Sequence, residues 1–412
     1  MGVNDIGLPR IISVDDHILE PQDLWQSRVP AKDRDRAPKV ERHFGYIDWD
    51  SDGSTRFVDD YDKSSPLSGW CDHWVYDDMR WPIPAGFAGV TNEDADNGMV
   101  GTCYDEMRPG CYDQKARIAD MDLNWVEASL CFPSMPRFCG QTFLERSDKV
   151  FSLECLRIYN DWIIDEWCGG DGAGRLIPLT LIPLWDVELA VGEVLRCAGK
   201  GSHAIAFSEI PAYLGLPSAH TKYWDPLFAA CEETETVVNM HIGSSSKFNT
   251  TSKDAPHPVN AALTVQNSQA AFIDWILSGT FARFPRLRLA LSEGQIGWMP
   301  YMMERLDSIW ERGDKYEADL RVRLPEPPSS YMSGVYGCIF DDVHGLKSRD
   351  EIGMSQIMYE VDYPHYDSTF PDSYAAAERL VREAGLNETE RWQLLRGNAI
   401  ECYGLGRFGI DR

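Results

Sequence analysis

Eight short apolar runs, spread over 412 residues with helix-period segments between them, constrain this chain more than any other feature. They are RIISVDDH (10–17), VEASLCF (126–132), RLIPLTLIPL (175–184), HAIAFSE (203–209), TVVNMH (236–241), RLRLALSE (286–293), GVYGCIF (334–340) and QIMYEVD (356–362). Continuous apolar runs of this length suit strands covered on both faces. Between them, DVELAVGEVLRCAG (186–199), WDPLFAACEETE (224–235) and MPYMMERLDSIWERG (299–313) repeat apolar residues at helical spacing. Parallel strands joined by helices connect right-handed, and eight such units close an α/β structure into a (β/α)8 TIM barrel. A doubly wound sheet is the alternative. It would carry a G-x-G-x-x-G turn after an early strand, and none stands there.

Residues 38–110 break the rhythm. YIDWDSDGSTRF, SPLSGWCDHWVYDD and MRWPIPAGF mix aromatics, acids and glycines. The tract reads as a long insertion after strand 1 that folds over the barrel mouth, within one domain spanning 1–412. Surface elaboration or an oligomer contact is the other reading. His73 within it is a candidate lid residue. DSYAAAERLVREAG and ETERWQLLRGNAIECYGL read as C-terminal helices, with Gly385 as a break.

The formal charge of −26, from 65 acidic and 39 basic residues, would repel a nucleic-acid backbone, and no basic patch interrupts it. No run approaches the length of a membrane span, and MGVNDIGLPR holds no basic segment leading into an apolar one. The eleven cysteines form no C-x-x-C pair, so reduced, buried thiols in a cytoplasmic protein are expected.

Polar residues fall where the apolar runs end: Asp15 and His17 after the first, Glu209 after the fourth, His241 after the fifth, Glu293 after the sixth and Asp362 after the eighth. In a barrel these carboxyl ends share one rim, so distant positions converge. Strand alternation puts Asp15 and His17 on one side. Imidazole and carboxylate together suit Zn²⁺ and are compatible with Fe²⁺ or Mn²⁺. His365 could contact substrate or cap a turn. Asp341, Asp342 and His344 could line the pocket or lie on the surface, and Trp298 is expected to pack.

The segments SVDDHILEPQDLW (13–25), ARIADMDLNWVEASLCFP (116–133), YWDPLFAACEE (223–233), VVNMHIGSS (237–245), PRLRLALSEGQIGWMP (285–300), VDYPHYDSTFP (361–371) and GNAIECYGL (397–405) follow one another in a recognisable order. Together they resemble the amidohydrolase-related family that includes aminocarboxymuconate-semialdehyde decarboxylase and the resorcylate decarboxylases. The resemblance implies a divalent metal, zinc first with iron or manganese as alternatives, held by Asp15, His17, His241 and Asp362. Asp15 departs from the usual histidine or glutamate, so it either ligates or orients His17, with Asp16 and Glu20 as nearby substitutes. One metal is favoured over two; in a two-metal site Glu209 would be the bridging acid. The resemblance also implies a homodimer.

Decarboxylases of that family often carry a catalytic histidine after strand 6, where this chain has Glu293. A carboxylate needs a raised pKa to move protons as an imidazole does. The substitution favours hydrolysis of a small carbonyl compound (amide, lactone, thioester or a C–C bond beside a ketone) by a metal-activated water. Asp362 would then act as acid and base, and Glu293 would position water or substrate. Decarboxylation of an aromatic or unsaturated acid is the alternative, and a non-catalytic binding barrel a third.

Overall fold

The computed structural model describes residues 7–49, 55–88 and 100–411. Twelve strands are present among them: β1 (Ile11–Ile18), β2 (Lys39–Trp49), β3 (Thr55–Asp59), β4 (Gly69–Tyr76), β5 (Met79–Pro82), β6 (Val126–Pro133), β7 (Leu176–Ile177), β8 (Ala204–Ala206), β9 (Val237–His241), β10 (Leu289–Ser292), β11 (Val335–Ile339) and β12 (Ile357–Tyr359). Each of the eight apolar runs contains one strand of a parallel ring.

One arc of the ring runs β1-β6-β7 and the other β12-β11-β10-β9-β8. Thr180 closes one seam, giving its N–H to Ala204 O and accepting from Ala206 N, both at 3.0 Å. The other seam joins β12 to β1, where Asp362 N donates to Asp15 O (2.9 Å) and His17 N to Tyr363 O (2.6 Å). A closed ring excludes the doubly wound alternative. The third run is the least regular, with only Leu176–Ile177 paired as a strand before the Thr180 bridge.

Helices follow the staves at Gln114–Leu123, Lys149–Trp162, Val187–Ala198, Asp225–Glu233, Val265–Leu277, Met299–Glu311, Val343–Lys347 and Ser373–Ala384. Several begin on an aspartate that accepts an otherwise unpaired N–H, as Asp186 does from Glu188 N (2.9 Å) and Leu189 N (3.1 Å). Gly385 ends the helix before it in the left-handed region (φ 68°), as its position in the sequence suggested. No helix among the described residues is long and apolar enough to cross a membrane. All eleven cysteines are buried and free.

The insertion contains an antiparallel sheet of order β3-β2-β4-β5; residues 50–54 and 89–99 of it lie outside the described residues. β4 and β5 meet through the two-residue turn Asp77–Asp78, with Asp77 at φ 56°. His73 sits inside this sheet, its Nδ1 3.0 Å from Cys71 O and its ring against Phe57 and His43. It is buried among the insertion's own residues and does not join the cluster at the barrel rim.

Candidate metal centre

The rim brings six of the expected residues together. Asp15, His17, His241 and Glu293 form one group whose ligand atoms lie within 4.8 Å of one another, and His17, Glu293, Asp362 and His365 form a second. Alternation along β1 sends Asp15 and His17 inward and Asp16 the other way. Asp16 accepts from Ser13 Oγ (3.0 Å), Tyr363 N (3.0 Å) and Ser129 Oγ, tying β1 to β6 and to the chain beyond β12. The buried Arg117 donates to the His17 carbonyl, which fixes that residue's backbone. Asp362 and Glu293 both leave their strands in the left-handed region, at φ 63° and 55°. This conformation is uncommon for non-glycine residues, and here it turns both carboxylates towards the histidines.

Within the cluster His17 Nε2 and His241 Nε2 face each other at 3.2 Å. Asp362 Oδ1 is 3.2 Å from His17 Nε2. The two oxygens of Asp15 are 3.6 and 3.5 Å from the two Nε2 atoms. Glu293 Oε1 is 3.5 Å from His241 Nε2. Asp15 thus faces Nε2, the atom a metal would share, rather than the far nitrogen that an orienting carboxylate would grip. Both Asp15 oxygens are buried without a hydrogen-bond partner, although buried polar atoms normally have one.

The electrostatics point the same way. Burial, reinforced by Glu360, Glu293 and Asp362, pushes the Asp15 carboxyl well above its ordinary range. Burial, then His365 and His241, holds His17 well below its own. Burial also works against charge on His241, but Glu293 and the Ile242 carbonyl outweigh it and raise that ring. His241 Nδ1 lies 2.6 Å from Ile242 O; only an N–H can satisfy that carbonyl, which leaves Nε2 for a ligand. Converging carboxylates and two imidazoles suit a divalent cation.

His365 stacks on His17 with ring centroids 3.9 Å apart, and its Nδ1 is 2.8 Å from Asp362 Oδ1 and 4.0 Å from Glu293 Oε1. Burial opposes charge on this ring, but Asp362 and Glu293 override it and lift it to about 9. Phe87 of the insertion meets His365 edge-on at 4.9 Å, and Tyr366 N donates to Gly86 O. Phe138 stacks on His241 at 4.1 Å.

Other candidates stand elsewhere. Glu209 joins neither group. Its Oε1 accepts from Gly243 N (3.1 Å), Ser245 Oγ (2.7 Å) and Asn267 Nδ2 (2.7 Å), so it braces the loop after His241. His344 is exposed on the short helix after β11. Asp341 pairs with Arg379 at the surface (3.0 Å). Asp342 caps the helix of His344 and accepts from Ile296 N and Gly297 N, a structural task. Trp298 packs on Phe272 as expected. The sequence reading missed Glu360, Phe87 and Phe138. Glu360 had a signal, since a charged residue two before Asp362 on an apolar strand must share its inward face.

Glu20, the other substitute for Asp15, accepts Ser134 N (3.1 Å) and Met135 N (2.9 Å) and so anchors the loop after β6. Burial raises its carboxyl from 4.5 to about 7. An acid raised on folding contributes stability that is full below its unfolded pKa and lost as pH rises through the folded value. The metal-free protein should therefore lose roughly 3 kcal/mol from this group between mildly acidic pH and pH 8. Thermal melts across that range should be flatter for Glu20→Gln, and equal slopes would refute the assignment.

Comparison with known proteins agrees with this architecture. The chain aligns over 97–98% of its length with two solved structures. One is an amidohydrolase from Mycobacterium avium subsp. paratuberculosis (19% identity, all of that chain covered, TM-score 0.67). The other is 2,6-dihydroxybenzoate decarboxylase from Rhizobium (16% identity, all of that chain covered, TM-score 0.56). A third, 5-carboxyvanillate decarboxylase from Novosphingobium aromaticivorans with bound manganese, matches over 71% of this chain and 82% of its own (18% identity, TM-score 0.57). At these identities the likeness is one of fold. The amidohydrolase family model matches residues 55–405, which leaves β1 outside the match but takes in every other stave. The chain belongs to the amidohydrolase family and is a metal-dependent enzyme of that superfamily.

Proposed function

We propose that the protein is a decarboxylase of an aromatic carboxylic acid that uses one divalent ion held by Asp15, His17, His241 and Asp362. The observation that carries the reading is the His365–Asp362 pair at 2.8 Å, stacked against His17. The glutamate after strand 6 argued for hydrolysis because it removed the expected imidazole. His365 returns an imidazole to the same cluster from the loop after β12. Similar folds whose names specify decarboxylation of aromatic acids support the same order of preference.

When bound by these residues, a divalent ion would supply the positive charge that binds and orients a substrate carboxylate. Zinc, iron and manganese all suit two imidazoles with carboxylates. In the metal-free protein, against the pull of burial, Asp362 and Glu293 lift His365 to about 9, and its Nδ1 lies 2.8 Å from Asp362 Oδ1, placed to hold a proton between them. His365 passes that proton, through or beside Asp362, to the ring carbon that bears the carboxylate. The C–C bond to the carboxylate then breaks, its electron pair restores the ring, and carbon dioxide leaves. Phe138 and Phe87 offer apolar surface to an aromatic substrate beside His241 and His365. The insertion, through Phe87 and the Gly86–Tyr366 contact, helps to close the mouth.

The test is a panel of hydroxylated benzoates with the protein loaded with zinc or manganese, reading carbon dioxide release and, in D₂O, one deuterium at the vacated carbon. Release that disappears in His365→Gln is the expected result. Turnover of amides, lactones or thioesters with no carbon dioxide from any acid would replace this reading with hydrolysis.

A further inference from the structure

We propose that Glu360 is a positioning residue for Glu293: its carboxylate accepts the Glu293 N–H and holds the left-handed turn that aims Glu293 into the metal cluster. Glu360 stands two residues before Asp362 on the last stave and shares its inward side. It is wholly buried. Its own N–H donates to Ile339 O (2.9 Å), so its backbone remains in the sheet while its side chain reaches past β11 to the end of β10. Oε2 lies 3.2 Å from Glu293 N, and Oε1 has no partner.

β10 ends at Ser292 and the next residue turns to φ 55°. At that turn the Glu293 N–H donates to a side chain, Glu360 Oε2, rather than to a neighbouring strand, and a buried donor needs an acceptor. Glu360 Oε2 supplies it. With the turn held, Glu293 Oε1 comes within 3.5 Å of His241 Nε2 and 4.0 Å of His365 Nδ1. An apolar side chain of similar volume would fill the barrel equally well but leave the N–H unpaired. The turn would then relax towards negative φ and swing the carboxylate away from the histidines. The inference rests on the metal cluster of the proposed function, to whose four ligands it adds Glu293 as a carboxylate on the ion, and not on the reaction.

The experiment measures Zn²⁺ and Mn²⁺ affinity of chelator-treated protein by competition with an indicator, with thermal melts as a folding control. The variants are Glu360→Gln, Glu360→Asp, Glu360→Leu, Glu293→Ala and the Glu360→Leu/Glu293→Ala pair. Glutamine keeps an acceptor in reach and should bind within about threefold of the parent. Aspartate keeps the carboxyl but withdraws the acceptor by about one C–C bond, and leucine removes it. Both should bind roughly 10–100-fold more weakly, the range for losing a group that orients a ligand. The double variant should be no weaker than Glu293→Ala alone, since coupled residues are not additive.

A glutamine variant as weak as leucine, an aspartate variant at parental affinity, or losses that multiply would each overturn the proposal. So would parental affinity in Glu293→Ala, because Glu360 would then have nothing to position. If Glu360→Leu does not fold, the contrast between glutamine and aspartate decides the question alone. Carbon dioxide release is read separately, so failure of this inference and failure of the decarboxylase reading are distinguishable.

Discussion

Asp362→Asn should bind its metal about 100-fold more weakly and, at saturating metal, turn over about 1,000-fold more slowly than the parent. The affinity loss follows from geometry. Asp362 Oδ1 is buried between His17 Nε2 at 3.2 Å and His365 Nδ1 at 2.8 Å. An asparagine oxygen would turn to His365 Nδ1–H, 2.8 Å away, which leaves an N–H₂ group facing the ion. If a site of this type is worth about 10–16 kcal/mol over four ligands, one ligand accounts for roughly 3 kcal/mol, or about 100-fold. The turnover loss has a separate origin. A carboxylate that relays a proton typically contributes about 10²–10⁴-fold, and an amide cannot relay one. Metal titration followed by saturated kinetics separates the two. Parental turnover at full occupancy would remove Asp362 from the proton path and leave it as a ligand only.

The staves and the rim were legible because each carries its own local signal. Runs such as LALSE and IMYEVD are mainly apolar up to the rim, with Ser292 and Glu360 as buried exceptions, and covered strands favour that pattern. The barrel then converts positions in sequence into neighbours in space, so Asp15, His17, His241, Glu293 and Asp362 could be grouped before any distance was known. Direction within the rim was not legible. Glu209 ends its run as Glu293 does, yet its carboxylate is drawn away by Gly243, Ser245 and Asn267, partners that no periodicity encodes. His365 was undecided for the same reason, since its role depends on the turn after Asp362 stacking its ring on His17.

The insertion was harder still. KVERHFGYIDW and GWCDHWVY alternate only loosely, and aromatics on both faces obscure the period of two that marks a strand. The Asp77–Asp78 hairpin was the local signal available there. The ranking of hydrolysis over decarboxylation turned on one substitution, the glutamate after strand 6. It weakened once another strand was found to bring an imidazole to the same place.

Stripping the metal should abolish turnover, lower the melting temperature by about 5 °C, and do so more at pH 8 than at pH 6. At a free-ion concentration about 1,000 times Kd, binding stabilises the folded state by about 4 kcal/mol. Unfolding entropy of about 2.1 cal/mol/K per residue over this chain's length gives roughly 0.9 kcal/mol per degree, hence the shift of about 5 °C. The pH dependence follows from the acids that remain when the ion is gone. Asp15 and Glu360 are both pushed well above the ordinary carboxylate range, chiefly by burial and then by neighbouring carboxylates, Glu360 and Glu293 respectively. Acids raised on folding give metal-free protein its full stability only below their unfolded pKa, and that stability drains away as pH climbs through the folded values. Protons and the ion compete for the same cluster, so the ion's contribution must grow as protons become scarce. Paired melts with chelator and with added zinc or manganese read the gap directly. A gap that widens as pH falls would mean that the cluster gains stability from its charges rather than from a cation, and an unchanged melt with retained turnover would remove the metal from the mechanism.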